Sequence, residues 1–374
     1  MAPISACEQP SKIEIKKKHV LALTFGFLYA LSSVSETIAI KALNYAPEPI
    51  TLPIYTSLLS NQLWIFMLPV YIYMYLNRVP VKETGVKRNS TVDYIIHYTV
   101  LGILTFLITV FRNFSVNAIP GSVFLLLIST SIVFNMILSV LWLKKSFNYW
   151  HIGAAALCLS SATVIGVISV ITDTGSPANY ALGIPTAIAS AFFVAVMNVA
   201  QEYIQPFWDD FTFRAIEMAV ITSMIASALI VTLGTFVVKE MITWATVFTA
   251  ISVNSHSLVL VICVSVALPI IKLVIRSSKY STIQYSNAFF FEFVQSSASL
   301  LGSLANILIF GEPWGHGYIA AIVLMALSYG VYIQAKNVSK KATVAATATV
   351  TQQKTVIIID NPIEIELTTI RGWK

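Results

Sequence analysis

Ten apolar stretches constrain this chain more than anything else in it. They run over residues 20–43, 51–76, 93–113, 119–143, 148–172, 181–204, 213–238, 257–277, 283–310 and 316–336. Most of the connections are short and carry Pro, Gly, Asn and Asp, as in "NYAPEP", "DTGSPANY" and "QPFWDD". A helix that crosses a bilayer needs about 20 mostly apolar residues, and these stretches are of that order. Composition agrees. The chain is 57% hydrophobic and 11% charged, against about 25% charged in a soluble domain, and its mean hydropathy is +0.78. The expected fold is an all-α integral membrane protein with ten transmembrane helices.

The net charge of +6 resides mainly in short segments between the apolar runs, not on a face of a soluble domain. That distribution argues against nucleic acid as a partner and for a lipid bilayer. With a cytosolic N-terminus, sixteen Lys and Arg fall on the cytosolic side, Arg276 and Lys279 among them. Three fall opposite: Lys41, Arg112 and Lys239. The excess of basic residues on the cytosolic side predicts that both termini are cytosolic. Residues 1–19 read as a polar cytosolic segment without a cleavable leader. Residues 337–374, rich in Thr, Val and Ala, read as a disordered cytosolic tail. "MITWATVFTAI", from Met241, reads as an amphipathic helix lying in the interface. The three cysteines lack CxxC spacing, so neither a zinc site nor a disulfide framework is expected. HExxH, Walker and GxSxG patterns are absent. No enzyme activity, cofactor or metal is expected.

The chain repeats itself. "LKKSFNYWHIGAAALCL" from Leu143 and "FGEPWGHGYIAAIVLM" from Phe310 share a corner: a helix ends, a charged or Gly-bearing turn follows, then an aromatic and a run of small residues. "ALSSVSETIAIKALNYAPEPITLP" from Ala30 lines up with "AFFVAVMNVAQEYIQPFWDDFTFR" from Ala191, and "FSVNAIPGSVF" from Phe114 with "YSTIQYSNAFF" from Tyr280. Two five-helix repeats follow, over 20–172 and 181–336. Five is odd, so the second repeat sits inverted in the membrane. Inverted repeats are a transporter signature, with the substrate held between them near the midplane.

Three segments carry a family resemblance: "SVNAIPGSVFLLLISTSIVFNMILSVLWLKKSFNYWHIGAAAL", "ASAFFVAVMNVAQEY" followed by "FTFRAIEMAV", and "ANILIFGEPWGHGYIAAIVLMALSYGVYI". Together they make residues 20–336 similar to the drug/metabolite transporter superfamily. Glu312 stands at that family's usual Gly-Glu corner, and Lys144–Lys145 stand where many members also have Glu. Purine permeases, chloroquine-resistance-transporter-like carriers and nucleotide-sugar-type carriers share these features. Leu300 and Ser303 occupy the places of a Pro and a Glu in the ninth helix of plant purine permeases, a departure that points away from a nucleobase. The resemblance implies a ten-helix carrier working by alternating access.

Candidate site residues are the polar ones inside apolar helices. An ionisable group near the bilayer centre costs about 2.5–3.5 kcal/mol on insertion scales and persists where it meets a cavity or a partner. Tyr29, Ser32, Ser33 and Glu36 share one face of the first helix. Thr105, Thr109, Arg112, Asn113 and Asn117 mark the third helix, and Ser131, Asn135 and Ser139 the fourth. Glu292, Gln295, Ser296, Ser299, Ser303 and Asn306 form a stripe on the ninth. The expected substrate contacts are Glu36, Ser33, Asn113, Asn117, Asn135, Asn198, Lys272, Glu292, Gln295 and Ser299, around a cavity lined by helices 1, 3, 4, 6, 8 and 9. Lys272, one turn from Pro269, has two readings: its stem snorkels to the headgroups, or it reaches an acidic partner, Glu292 first among them, or an anionic group of the solute. Arg276 and Lys279 read as markers of the cytosolic edge, and Glu217 as a partner for Arg214. The runs "GAAALCLSSA" and "GYIAAIVLMA" allow close approach, either of helices 5 and 10 to one another or of two copies in a homodimer. The expected function is secondary transport of a small organic solute of nucleobase, amino-acid or nucleotide-sugar type, proton-coupled or exchanging. A non-transporting membrane scaffold or trafficking protein is the second reading.

Overall fold

The computed structural model describes residues 12–44, 57–58, 61–77, 91–119, 124, 127–172, 180–207, 211–236, 255–310, 317, 319–335 and 338. Its helices are α1 (Lys12–Asn44), α2 (Leu63–Leu76), α3 (Thr91–Ala118), α4 (Ser131–Leu143), α5 (Tyr149–Thr172), α6 (Tyr180–Ile204), α7 (Phe211–Phe236), α8 (Ser255–Tyr285), α9 (Ala288–Phe310) and α10 (Ile319–Ala335). Among the described residues no strand occurs. Three helical stretches are long and apolar enough to cross a membrane by length and composition: Asp93–Val116, Tyr180–Ile204 and Phe211–Leu233. Val20–Glu36, Leu63–Leu76, Leu127–Leu143 and Ile319–Ala335 are shorter apolar helices. The interfacial segment 241–251, the Glu312 corner and the tail from 339 lie outside the described residues.

Two helix ends differ from expectation. α1 begins at Lys12, so the helix starts before the apolar stretch that opens at residue 20. α8 runs on to Tyr285, and the turn before α9 is Ser286–Asn287. Nothing in "RSSKYSTIQY" breaks a helix, whereas Asn287 supplies a stop: its Oδ1 accepts the Phe290 N–H at 2.6 Å and caps α9.

The apolar core also holds polar and charged side chains, and large apolar side chains stand on the surface. Buried side chains include Glu36, Asn61, Asn135, Asn198, Gln201 and Glu292, while Phe27, Tyr73, Leu141 and Leu308 stand exposed. That arrangement suits a solvent that is apolar outside the helices and a polar route within them.

Packing pairs the elements in a crossed pattern. α1 lies along α8 and α9, α6 lies along α3 and α4, α2 meets α7, and α4 meets α9. Glycines permit the close approaches. A Cβ on Gly102 would come within 2.8 Å of Ile225, and one on Gly183 would overlap Ile119. α5 and α10 join through small residues. Ser161 Oγ donates to the Ala321 carbonyl at 2.8 Å, Ser328 Oγ donates to the Ala154 carbonyl at 2.9 Å, and Ala154, Cys158 and Ala321 are fully buried. The small-residue faces of helices 5 and 10 therefore meet within one chain.

Candidate functional site

A cavity of about 180 Å³ lies where α1, α3, α6, α8 and α9 converge, closed by Asn61 before α2 and by Phe124 and Ile128 before α4. Each helix contributes at helical spacing: Tyr29, Ser33 and Glu36 from α1; Thr105, Thr109, Arg112 and Asn113 from α3; Lys272, Arg276, Lys279 and Tyr280 from α8; Gln295 and Ser299 from α9. Ser190, Val194 and Met197 form the α6 wall. Of the expected contacts, Ser33, Glu36, Asn113, Lys272, Gln295 and Ser299 line this cavity. Asn117 belongs to α3, but its side chain is outside the described residues. The side chains of Ser303 and Asn306 are likewise outside them.

Glu36 is 3% exposed and accepts an ion pair from Lys272 Nζ at 2.5 Å. This overturns the expected Lys272–Glu292 pairing. The cause is helix packing: α1 lies along α8 and brings Glu36 to Lys272, while the face of α9 that bears Glu292 turns towards α4 and α6.

Glu292 instead centres a separate buried cluster behind the cavity wall. Ser131 Oγ donates to its Oε2 at 2.6 Å. Asn198 Nδ2 and Asn135 Nδ2 donate to its Oε1 at 2.7 and 3.2 Å, and Ser139 Oγ donates on to Asn135 Oδ1 at 3.2 Å. Glu292, Asn135 and Asn198 are each at most 1% exposed. Sequence reasoning grouped these three with the cavity contacts, and the structure assigns them to this adjoining cluster.

Arg276 and Lys279 are not edge markers; both line the cavity. The α8 extension explains the difference. Arg276 lies nine residues inside the true helix end at Tyr285, about 13 Å along the axis at 1.5 Å per residue. Its Nη1 donates to the Ala219 carbonyl at 2.9 Å, to Thr222 at 3.2 Å and to Ser223 at 2.5 Å, and its Nη2 donates to Asn61 Oδ1 at 3.4 Å. Asn61 itself donates to the Ser57 carbonyl at 2.9 Å and to Thr109 Oγ1 at 3.4 Å, and Asn113 donates to the Ser57 hydroxyl. Asn61 was missed although it stands in the polar run Ser60–Asn61–Gln62 of "SLLSNQLWIF"; that run inside an apolar stretch was the available signal. Ser32, grouped with the α1 face, donates back to the Leu28 carbonyl at 2.8 Å and is absent from the cavity wall.

Two polar ties bind helix ends on one side of the bundle. Lys145 pairs with Glu202 at the end of α6, and Glu202 Oε2 accepts the Ala288 N–H at 3.0 Å, which caps α9. Arg214 pairs with Glu217 at 2.6 Å, as expected, and Tyr98 and Tyr71 donate to the same carboxylate at 2.9 and 3.2 Å. Arg214 also lies 4.0 Å over the Tyr94 ring. Between the first tie and the cavity sits Gln201. It is fully buried one turn beyond Met197, and neither its amide oxygen nor its nitrogen has a hydrogen-bond partner. Asn198 Oδ1 beside it is also unpartnered.

Among the described residues, no group of three or more His, Cys, Asp or Glu side chains is placed to hold a metal ion.

A helical bundle with large apolar side chains on its exterior and a polar cavity among its helices fits a membrane transport protein. The particular family follows from the sequence: the profile described as purine nucleobase transmembrane transport matches residues 52–342, and the chain belongs to that family. The match runs through Leu300 and Ser303, so the departure noted there does not remove the chain from the purine branch. No curated protein matches the chain. The fold is similar to that of a solved crystal structure at 15% identity and a TM-score of 0.56, covering 85% of this chain and 98% of the other.

Proposed function

We propose that the chain carries a planar heterocycle of purine-nucleobase size across a membrane, by alternating access of two inverted five-helix repeats. The observation that carries this reading is the cavity. A void of about 150 Å³ is known to admit benzene; one of about 180 Å³ suits a small fused ring. Its wall supplies what such a ring needs. Gln295 offers an amide edge, and Tyr29 and Phe124 offer aromatic faces. An amide that both donates and accepts matches the edge of a purine, as Asn and Gln do with adenine.

The crossed packing supports the two-repeat arrangement. Adding five to each helix number turns the α1 contacts with α8 and α9 into the α6 contacts with α3 and α4, and it maps the α2–α7 and α4–α9 contacts onto themselves. With both termini cytosolic, the Lys145–Glu202 and Arg214–Glu217 ties fall at the cytosolic ends of their helices, so this conformation is closed there. Glu292 is the group we assign to proton handling. Its partners are a hydroxyl and two amides, which hold either protonation state without a fixed counter-ion.

The test is counterflow in proteoliposomes. Preloaded unlabelled adenine or hypoxanthine is expected to accelerate uptake of the labelled base, with UDP-glucose and leucine as negative controls. Folded, reconstituted protein that shows no counterflow with any nucleobase would refute the reading and favour a scaffold.

A further inference from the structure

The cavity wall carries one carboxylate, Glu36, against four cations: Arg112, Lys272, Arg276 and Lys279. Among the described residues only Lys272 of these four has an ion pair, with Glu36. Arg276 spends its N–H groups on a carbonyl, two hydroxyls and an amide oxygen, all uncharged. Arg112 and Lys279 have no hydrogen bond or ion pair among the described residues, and Lys279 lies 5.5 Å over the Phe291 ring. Glu292, which acts electrostatically on Lys279, is already committed to three neutral donors. Counting it still leaves four cations facing two carboxylates.

Taking a charge out of water is costly unless a partner compensates it. Among the described residues, three of these cations have no carboxylate within ion-pair distance. Lys and Arg side chains are donors only, so they pair with oxo groups, ionised ring nitrogens or carboxylates and are mismatched to exocyclic amino groups. Arg adds a planar fork that engages two acceptors at once.

We infer, resting on the purine reading above, that the preferred solute is a planar heterocycle bearing negative charge, and that Arg112 and Lys279 select it. The charge has two possible sources: a ring nitrogen ionised next to an oxo group, as in urate, or a carboxylate on a ring, as in orotate.

The experiment compares adenine, hypoxanthine, urate and orotate at equal concentration and neutral pH. Thermal stabilisation of the purified full chain and counterflow in proteoliposomes are the two readouts. Urate or orotate is expected to bind and exchange at least tenfold better than adenine, and the better of the two identifies the source of the charge. Arg112→Gln and Lys279→Gln are expected to erase that preference, while Arg112→Lys keeps part of it. If a Gln variant fails to fold, the wild-type ranking still decides. Adenine or hypoxanthine carried as well as the anions would overturn the charge inference and leave the purine reading standing. Orotate carried with no purine carried would do the reverse. If none of the four binds, both fail.

Discussion

Replacing Lys272 by Ala is the sharpest single test of how the cavity is built. The substitution leaves the Glu36 carboxylate 3% exposed and without its 2.5 Å partner. Breaking a buried pair by removing one partner typically costs about 3–5 kcal/mol. Here the cavity adjoins the pair and Lys272 is 17% exposed at its side chain, so water relieves part of that cost. An expectation of about 2 kcal/mol follows, roughly a 30-fold change in an equilibrium. Glu36→Gln should cost less, because the amide still accepts from the ammonium. In Glu36→Gln/Lys272→Met neither charge remains, and its loss should fall short of the summed single losses by about 1–2 kcal/mol, within the range seen for residues in contact. The assay is thermal unfolding of the detergent-solubilised protein, monitored by size-exclusion chromatography, with uptake measured at equal membrane abundance. Lys279→Ala serves as the comparison, since Lys279 has no ion pair among the described residues. Additive losses within about 0.5 kcal/mol, or equal small effects of Lys272→Ala and Lys279→Ala, would refute the view that Glu36 and Lys272 act as a unit.

Glu292→Gln should fold, because Ser131, Asn135 and Asn198 can rearrange around an amide, but uptake should stop responding to an imposed proton gradient; an unchanged response would return Glu292 to a structural role. Gln201→Leu removes an amide with two unpartnered polar atoms, each worth about 1–3 kcal/mol when left unmade, so the variant should melt higher than wild type while transporting more slowly if Gln201 meets the solute in the opposite state. A higher melting point with undiminished transport would make Gln201 a passive defect. Gly183→Val should disrupt the α3–α6 contact through overlap with Ile119 and cut folded yield severalfold, whereas Gly302→Ala, with nothing within 4 Å of its Cβ, should be silent in the same chromatographic assay.

Hydropathy alone made the all-helical membrane architecture legible, because lipid-facing helices must be apolar along their whole length. The buried polar residues were legible for the same reason: Ser33, Glu36, Asn113, Gln295 and Ser299 stand out against apolar neighbours, and the structure places them on the cavity wall. Pairing was not legible. Whether Lys272 meets Glu36 or Glu292 depends on which faces of α1, α8 and α9 meet, and helical spacing leaves that rotation free. Arg276 was misplaced because an apolar count ends a helix where polar residues begin, whereas α8 ends where Asn287 caps the next helix. The Glu292 cluster needed three helices, α4, α6 and α9, to come together, and no local pattern encodes that.

The two carboxylates of the interior are therefore held in different ways, and the difference bears on how a carrier cycles. Glu36 has a full counter-ion and borders the cavity, so its charge is fixed while the pair lasts and a solute must compete with it or leave it intact. Glu292 has only neutral donors and lies one layer back, at the junction of α4, α6 and α9. A change in its protonation alters the hydrogen bonds that hold these three helices together, and α6 also forms the wall bearing Ser190, Val194 and Met197. At its end α6 carries Glu202, which ties Lys145 to the first turn of α9. The cavity wall, the Glu292 cluster and the Lys145–Glu202 tie thus share one helix, and a tilt of α6 would act on all three together.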